Sequence, residues 1–230
     1  GRRGTVMPVV RVDDAIAEEL LAGVVRLSGL RVEEENPFWG EIDELGMVYR
    51  RAHAGKAPSE IPGLEPARRL YRRFGVDPTR TRPSSEALLR RVLKGESLYR
   101  INRLVDACNW SSLALLLPIG LYDLARVRGD ILIRVGREGE SYEGIRKGPV
   151  HVVERLTVAD EEGPFGSPTS DSARTSVGVG TTEALAVIFA PGDFPRIEME
   201  EGMGRMARQM LRWCGGREEE ARVLGGAGAA

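Results

Sequence analysis

The spacing of apolar residues changes along the chain, from helical in the first half to strand-like in the second. Apolar residues three and four positions apart predict helices in the first half, over 15–21, 37–49, 67–74, 84–94 and 101–117. Short apolar runs predict strands, over 6–12, 24–32, 131–135, 150–158, 175–179 and 185–189. A last amphipathic helix is predicted over 194–214. Because no βαβ unit repeats, we predict an α+β fold with a mixed β-sheet core and flanking helices.

The chain shows no internal repeat and no convincing linker, so a single domain over 1–224 is expected. Its parts are a helical N-terminal region over 1–100, a core over 84–190 and the C-terminal helix over 194–214. The segment 163–171 is rich in Gly, Pro and Ser and is expected to be a loop, too polar for a strand. The small residues of 225–230 are typical of a disordered tail.

Composition excludes several classes of protein. The 230 residues are 42% hydrophobic and 29% charged, which is typical of a globular domain. The longest apolar run, over 113–117, is too short to span a bilayer. Cys108 and Cys214 form no disulfide framework, and with His53 and His151 they form no zinc-binding pattern. We therefore expect a cytoplasmic protein without a signal peptide, a membrane segment, a metal or a cofactor.

Positive charge is concentrated in one segment. The formal net charge is −1, yet 64–104 holds 11 basic and 4 acidic residues. This local excess suggests an anionic partner, although a solvated helix face would have the same composition. The candidate contacts lie on two predicted helices: Arg68, Arg69, Arg72, Arg73, Arg90 and Arg91.

Two polar groups are candidates for binding or chemistry. The segment 167–175 combines five hydroxyls with one carboxylate and one guanidinium, in the residues Ser167, Thr169, Ser170, Asp171, Ser172, Arg174 and Thr175. Such a loop can hold a polar ligand or a water molecule, but its composition also fits a capped surface turn. Asp106, Asn109 and Asp123 bracket an apolar helix, where they need hydrogen-bond partners. These three residues are expected to lie close together, and structural hydrogen bonds would explain them as well.

Four ordered motifs resemble a known family. They are Asn102-Arg-Leu-Val-Asp106-Ala-Cys-Asn109, Leu117-Pro-Ile-Gly-Leu-Tyr-Asp123, Gly129-Asp-Ile-Leu-Ile-Arg134 and Gly139-Glu-Ser-Tyr-Glu-Gly144. They are similar to the B3/B4 domain, the editing domain of the phenylalanyl-tRNA synthetase beta subunit. The loop from Gly163 to Thr175 resembles the free-standing B3/B4 proteins in particular. The similarity covers about 84–190, and nothing in the chain resembles the ATP-binding module of a synthetase.

The resemblance implies a role in protein biosynthesis: hydrolysis of the ester between tRNA and a wrong amino acid. In the synthetases a histidine stands where this chain has Gly120, and a glutamate stands near Ile188. The asparagine of the motif is kept as Asn109. We therefore expect a tRNA-binding hydrolase that deacylates aminoacyl-tRNA in trans. The alternatives are a non-catalytic binder of tRNA or of an amino acid, and a small-molecule enzyme on the same scaffold.

Under this interpretation each candidate residue has an expected role. Among the four catalytic candidates, Ser170, Asp171 and Thr175 would position the attacking water, and Asn109 would contact the substrate. Asp106, Asp123, Ser167, Thr169 and Arg174 would shape the substrate site, and the six arginines would face the tRNA. The loop over 167–175 is expected to line the same cavity as Asn109. The amino acid, the tRNA and the oligomeric state are left open by the sequence.

Overall fold

A four-stranded antiparallel sheet lies at the centre of the molecule, whose computed structural model describes residues 7–229. Its strands are β2 (Leu20–Ser28), β3 (Ile119–Asp123), β9 (Ala184–Pro191) and β10 (Arg217–Gly225). They are arranged in the order β10-β2-β9-β3. Every residue of β2 and β9 is buried, because apolar layers cover both faces of the sheet.

A second sheet packs over one face of the central sheet. It contains β1 (Val10–Val12), β4 (Ile131–Val135), β7 (Leu156–Asp160) and β8 (Gly163–Gly166), in the order β1-β4-β7-β8. The β1–β4 pair is parallel and the other pairs are antiparallel, so this sheet is mixed. A separate hairpin is formed by β5 (Ser141–Glu143) and β6 (Pro149–His151).

Five helices complete the fold. They are α1 (Trp39–Ala52), α2 (Glu65–Arg73), α3 (Ser84–Leu93), α4 (Arg103–Leu115) and α5 (Arg196–Cys214). Short 3₁₀ turns occur at Asp14–Ile16, Pro58–Glu60, Pro62–Leu64 and Leu124–Arg126. Helices α1, α3, α4 and α5 build one core with the central sheet, whereas Leu70 of α2 and Phe74, which follows α2, belong to the core between the two sheets.

The two cores share the central sheet through the alternation of its side chains. Along β9, Ala186 and Ile188 face the helical core, while Val187 and Phe189 face the second sheet. This period of two is the geometry of an extended strand covered on both faces. The predicted fold class, α+β with a mixed sheet and flanking helices, is confirmed.

Most predicted helices form, but several strand predictions are wrong. The segment predicted as a helix over 15–21 is a 3₁₀ turn followed by the start of β2. No strand forms over 175–179, and the segment 163–171, expected to be all loop, begins with β8. Strands β3 and β10 were not predicted. In the strand predicted over 6–12, β1 covers the last three residues, and Val6 lies outside the described residues.

The C-terminal segment is ordered as far as it is described, contrary to the expected tail over 225–230. Gly225 ends β10, and the Gly226 amide donates to the carbonyls of Ala17 and Leu20 at 2.8 Å each. The Ala227 amide donates to the Gly192 carbonyl at 2.8 Å. These backbone bonds attach 226–229 to the start of β2, while Ala230 lies outside the described residues.

None of the helices formed by residues 7–229 combines the length and the apolar character that a membrane crossing requires.

Candidate functional site

The loop over 167–175 follows β8 and is held by its own backbone. The Ser172 amide donates to the Phe165 carbonyl at 3.0 Å, and the Ser167 amide donates to the Ser170 carbonyl at 3.0 Å. Gly166 and Asp171 also form an antiparallel bridge. These bonds close the loop into a turn. Consecutive side chains of a turn point in different directions, so they contact different parts of the protein.

The carboxyl group of Asp171 lies against β3 and α4. Its Oδ2 accepts one hydrogen bond, from the Leu121 amide at 3.4 Å. Burial raises the pKa of Asp171 to about 7, and this single long hydrogen bond offsets only part of that effect. The residue as a whole is half-buried. Asp171 is therefore a carboxyl group that can gain or lose a proton near neutral pH.

Cys108 and Tyr122 lie near Asp171. Burial, with the nearby Asp171 charge as a second cause, raises the pKa of the Cys108 thiol and of the Tyr122 hydroxyl. Both groups therefore stay protonated at neutral pH, and Cys108 is a buried neutral thiol rather than a nucleophile. The Tyr122 ring meets Phe165 edge to face at 4.9 Å between centroids. Its hydroxyl is buried and has no hydrogen-bond partner within residues 7–229.

Two glycines make room for the Tyr122 hydroxyl. A Cβ atom at Gly120 would overlap this hydroxyl, and one at Gly166 would contact the same ring. Tyr122 is 0% exposed, so it has no free space into which to move. Gly120 is the position at which the synthetase resemblance implies a histidine. The tyrosine therefore fills space that a side chain at position 120 would need.

Gly120→Ala is expected to destabilise the protein. The added methyl group would displace the enclosed Tyr122 ring, and overpacking of this kind costs about 1–3 kcal/mol. Gly40→Ala is a matched control, since Gly40 lies in α1 with nothing near its virtual Cβ atom. The control should gain stability by up to about 1 kcal/mol. Urea unfolding of the two variants checks this, and equal stability for Gly120→Ala and wild type would contradict it.

The hydroxyls of the first part of the loop turn away from the carboxyl group of Asp171. Tyr142 Oη donates to Ser167 Oγ at 3.0 Å and lies 2.5 Å from the Ser170 carbonyl. Thr169 Oγ1 donates to Tyr71 Oη at 3.0 Å. Together with α2 and β6, residues 167–170 line a cavity of about 180 Å³. Asn109 is not part of the lining of this cavity, and a cavity shared by Asn109 and the loop stays a prediction.

The side chains of Arg174 and Thr175 form contacts that stabilise the loop. Arg174 forms a bidentate pair with Asp160 at 2.9 Å for both contacts, and a further pair with Glu162 at 3.3 Å. Thr175 is 0% exposed; its Oγ1 lies 3.1 Å from Ser172 Oγ, and its carbonyl accepts from the Asp123 amide at 2.9 Å. The hydroxyl of Thr175 and the guanidinium of Arg174 are thus engaged within the fold.

Among residues 7–229, Asp106, Asn109 and Asp123 share no hydrogen-bond partner. Asp106 is 1% exposed and accepts from Asn36 Nδ2 at 3.1 Å and from the Ile101 amide at 3.0 Å. Asp123 accepts from Thr181 Oγ1 at 2.9 Å and from the Ala125 amide at 3.0 Å. Asn109 is half-buried in α4, directly after Cys108. The two aspartates have the structural hydrogen bonds that their burial requires.

All six candidate arginines form ion pairs within the protein. Arg68 and Arg90 both bind Glu86, at 2.6 and 3.1 Å, and Glu86 is 1% exposed. The other four pair with exposed or half-exposed carboxylates, as Arg69–Asp193, Arg72–Glu65, Arg73–Glu19 and Arg91–Glu96. The positive segment therefore divides into two arginines that bind a buried carboxylate and four in surface pairs.

Neither histidine belongs to a catalytic cluster. His53 stacks on Tyr49 with ring centroids 5.9 Å apart, and His151 lies at the edge of the 180 Å³ cavity. In the part of the chain that the structure describes, no group of three or more His, Cys, Asp or Glu side chains could hold a metal ion.

A family model matches the stretch of chain that carries this loop. Residues 66–192 match the model described as the B3/4 domain, and they make up more than half of the 230 residues. The chain belongs to the B3/4 domain family. The match confirms the resemblance seen in the motifs. It extends from α2 to the end of β9, so it contains Asp171, the loop and Tyr122, whereas α1 and α5 lie outside it.

Curated relatives match the chain at low identity. The phenylalanine–tRNA ligase beta subunit of Bartonella henselae is 26% identical over 168 residues, covering 62% of this chain and 21% of that protein. The same subunit from Paramagnetospirillum magneticum is 28% identical over 154 residues, covering 54% and 19%. The chain thus spans about a fifth of the length of the curated relatives it matches.

A solved structure is also similar to this B3/4 protein. It is a crystal structure of an N-terminal fragment of the phenylalanyl-tRNA synthetase beta subunit from Pyrococcus horikoshii. The alignment covers 95% of this chain and 55% of that one, with 12% identity and a TM-score of 0.46.

Sequence reasoning missed three residues that shape the candidate site. Cys108 and Tyr122 lie near Asp171, and Glu86 binds two of the predicted RNA-facing arginines. For Tyr122, the sequence contained one indication: Gly120, two residues earlier, lacks the side chain that would overlap the tyrosine hydroxyl. Glu86 was detectable only as an acidic residue four positions before Arg90, which is a common surface pairing.

Proposed function

We propose that this B3/4 protein is a trans-acting aminoacyl-tRNA deacylase, which binds aminoacylated tRNA and hydrolyses the ester to a wrong amino acid. Family membership and the relatives' names, which are those of tRNA ligase subunits, support a tRNA-linked substrate. The relatives are much longer than this chain, so the substrate assignment rests on the experiment below. The single observation that carries the chemistry is the Asp171 carboxyl group, whose pKa is raised by burial to about 7.

Asp171 would act as the general base. A carboxylate with a pKa near the working pH removes a proton from water more effectively than an ordinary exposed aspartate. The water oxygen attacks the ester carbonyl carbon as Asp171 takes one of its protons. The tetrahedral intermediate then expels the ribose oxygen, which regains that proton from the Asp171 acid. The products are the free amino acid and deacylated tRNA, and Asp171 returns to its starting state.

The other loop residues support this role in different ways. Asn109 follows Cys108 in α4, and we propose it as the substrate contact nearest the carboxylate. Ser170 adjoins Asp171 and helps to hold the loop, because its carbonyl accepts from the Ser167 amide. Thr175, Arg174 and Asp123 are positioning residues, because their polar atoms bind other parts of the protein.

A panel of mischarged tRNAs tests the proposal. The wild-type protein should release the amino acid from at least one member, and tRNAs that carry non-cognate aromatic residues such as tyrosine are tested first. Release is measured as loss of labelled amino acid from the tRNA, against a protein-free control for spontaneous hydrolysis. If no member of a complete panel is deacylated faster than this control, the deacylase proposal is wrong.

One observation favours a non-catalytic alternative. The positions at which the resemblance implies a histidine and a glutamate hold Gly120 and Ile188, and Ile188 is 0% exposed within the core. A protein that kept the pocket but lost these groups would bind aminoacyl-tRNA, or an amino acid, without hydrolysis. Saturable binding of aminoacyl-tRNA with no deacylation across the panel would support this alternative.

For tRNA binding, we propose the three arginines of α2 that form surface ion pairs. Arg69, Arg72 and Arg73 lie on one helix, with side chains 41, 52 and 58% exposed. Surface ion pairs contribute little stability, so a phosphate backbone can replace their carboxylate partners. With three phosphate contacts, affinity should fall roughly 40-fold between about 50 and 200 mM salt, since each neutralised phosphate releases about 0.9 counterion.

Reversal of these three charges to Glu is expected to weaken tRNA binding at least tenfold at low salt and to flatten the salt dependence. Arg222→Glu is the matched control: Arg222 is 49% exposed and pairs with Glu220, but it lies on β10. Filter binding or fluorescence anisotropy across a salt series measures both effects. Unchanged affinity in the triple variant, or a wild-type affinity independent of salt, would contradict the predicted surface.

A further inference from the structure

The 180 Å³ cavity beneath α2 has an apolar interior. Leu70 and Phe74 from the helix and Val152 and Leu156 from the chain around β6 and β7 line it, and all four are buried. Its size is comparable to that of an engineered apolar cavity of about 150 Å³ that binds benzene. A group the size of one aromatic ring therefore fits inside.

The wall opposite the helix is polar and fixed in place. Thr169 bonds to Tyr71, Ser84 Oγ donates to the Pro168 carbonyl at 3.1 Å, and Tyr142 bonds to Ser167. Ser84 is the first residue of α3, so its hydrogen bond attaches this wall to that helix. Ser170 also lines the cavity, and its buried hydroxyl has no partner within residues 7–229. The cavity is thus preformed, and it offers one unused hydrogen-bonding group.

Three basic side chains line the cavity where it meets the surface. Lys147, His151 and Arg155 contribute to the lining and are exposed, and no Asp or Glu does so. Neither Lys147 nor Arg155 pairs with a carboxylate of the described residues. This arrangement differs from the rest of the surface, where most cationic side chains that flank a cavity, such as Arg69, Arg72 and Arg73, have acidic partners.

We propose that this cavity is a binding site for a small molecule with a ring-sized apolar body and one anionic head group, such as an aromatic monocarboxylate. The ring occupies the space between α2 and Leu156, where it removes apolar surface from water. The carboxylate lies at the edge, within reach of Lys147 and Arg155, and Ser170 Oγ supplies a directional hydrogen bond.

The site differs from the proposed deacylase centre. The Asp171 carboxyl group binds the Leu121 amide and is not part of the cavity lining. The proposal therefore goes beyond deacylation and does not depend on it. Because a direct binding measurement tests it, failure here leaves the tRNA assay unaffected, and the reverse also holds.

The experiment uses the full chain and four probes: phenylacetate, benzoate, benzyl alcohol and benzylamine. Titration is followed by ¹H–¹⁵N correlation spectra and by calorimetry. We expect one saturable site for the two carboxylates, with the largest shifts at the amides of Val150, Val152, Thr169 and Ser170. Benzyl alcohol should bind at least tenfold more weakly, and benzylamine should show no saturable binding, because the edge repels a cation.

Two kinds of variant locate the site. Lys147→Glu combined with Arg155→Glu should weaken phenylacetate binding at least tenfold, while Arg51→Glu, an exposed arginine in α1, should leave it unchanged. Val150→Phe fills the cavity and should abolish binding without lowering the unfolding temperature. The proposal is overturned if phenylacetate shows no saturable site, if benzylamine binds equally well, or if the double variant binds like wild type.

Discussion

Asp171→Asn should lower the deacylation rate about a hundredfold and leave tRNA affinity nearly unchanged. Asparagine keeps the shape of the side chain and an oxygen that accepts from the Leu121 amide, but it cannot take a proton from water. General-base catalysis typically contributes about 10²–10⁴-fold, so loss of the base has a large effect on the rate. Single-turnover deacylation of the best substrate from the tRNA panel gives the rate, and anisotropy gives the affinity.

The same residue predicts the pH dependence. Wild-type activity should rise with pH up to about 7 and then level off, because Asp171 acts only when it has lost its proton. Asp43→Asn is the control, an equivalent change at an exposed position in α1, and it should match wild type in rate and pH profile. A wild-type rate for Asp171→Asn would make Asp171 structural, and the deacylase proposal would lose its general base.

The raised pKa of Asp171 also has a consequence for stability. The folded state keeps this proton up to about pH 7, whereas the unfolded chain releases it near the ordinary value of 3.8. The wild type therefore loses stability as pH rises from about 4 to 7, and the uncharged variant does not. Above pH 7, Asp171→Asn should be more stable than wild type by ~2–4 kcal/mol. A variant that is both slower and more stable identifies a functional group rather than a structural one.

The sequence pattern predicted the helices well because each helix has a single apolar stripe that packs against a core. The stripe of α2, Leu70 with Phe74, and that of α5 recur at helical spacing, and the observed bounds differ from the predicted ones by only a few residues. A helix at the surface needs only one apolar face, so its period is visible in a single sequence.

Strand prediction failed where the pattern of apolar residues depends on what packs against each face of the strand. Strand β2 is buried on both faces, so it shows a continuous apolar run without a period of two, and its first residues were interpreted as helix. Strand β10 fails for the opposite reason. It is an edge strand with the sequence Arg217-Glu-Glu-Glu, mostly exposed, and only its backbone pairing with β2 makes it a strand.

The candidate site was predictable as a loop but not as a chemical environment. The composition of 167–175 pointed to hydroxyls, yet most of those hydroxyls bind neighbours within the fold. The pKa of Asp171 depends on burial against β3 and α4, which are about 50 and 60 residues away in the chain. A single sequence contains no signal for such contacts. The arginine segment shows the same difficulty, since the partner of Arg68 became evident only from the packing of α2 against α3.

Glu86→Gln should lower the free energy of unfolding by about 3 kcal/mol. Glu86 is 1% exposed and binds Arg68 at 2.6 Å and Arg90 at 3.1 Å, so it joins α2 to α3 and neutralises two guanidinium groups. Removal of one partner from a buried pair typically costs about 3–5 kcal/mol, because the remaining charge loses its compensation. The lower end applies here, since Arg68 and Arg90 are 15 and 27% exposed and water can partly replace the carboxylate.

Urea unfolding and thermal melts measure this loss, and about 3 kcal/mol corresponds to a drop of roughly 6–12 °C in Tm for a chain of this size. Glu65→Gln is the matched control, because Glu65 and its partner Arg72 are 51 and 52% exposed. Exposed pairs contribute about 0–1 kcal/mol, so the control should stay near wild type. If both variants lost equally little, Glu86 would not stabilise the α2–α3 pair, and Arg68 and Arg90 would rejoin the arginines available to an anionic partner.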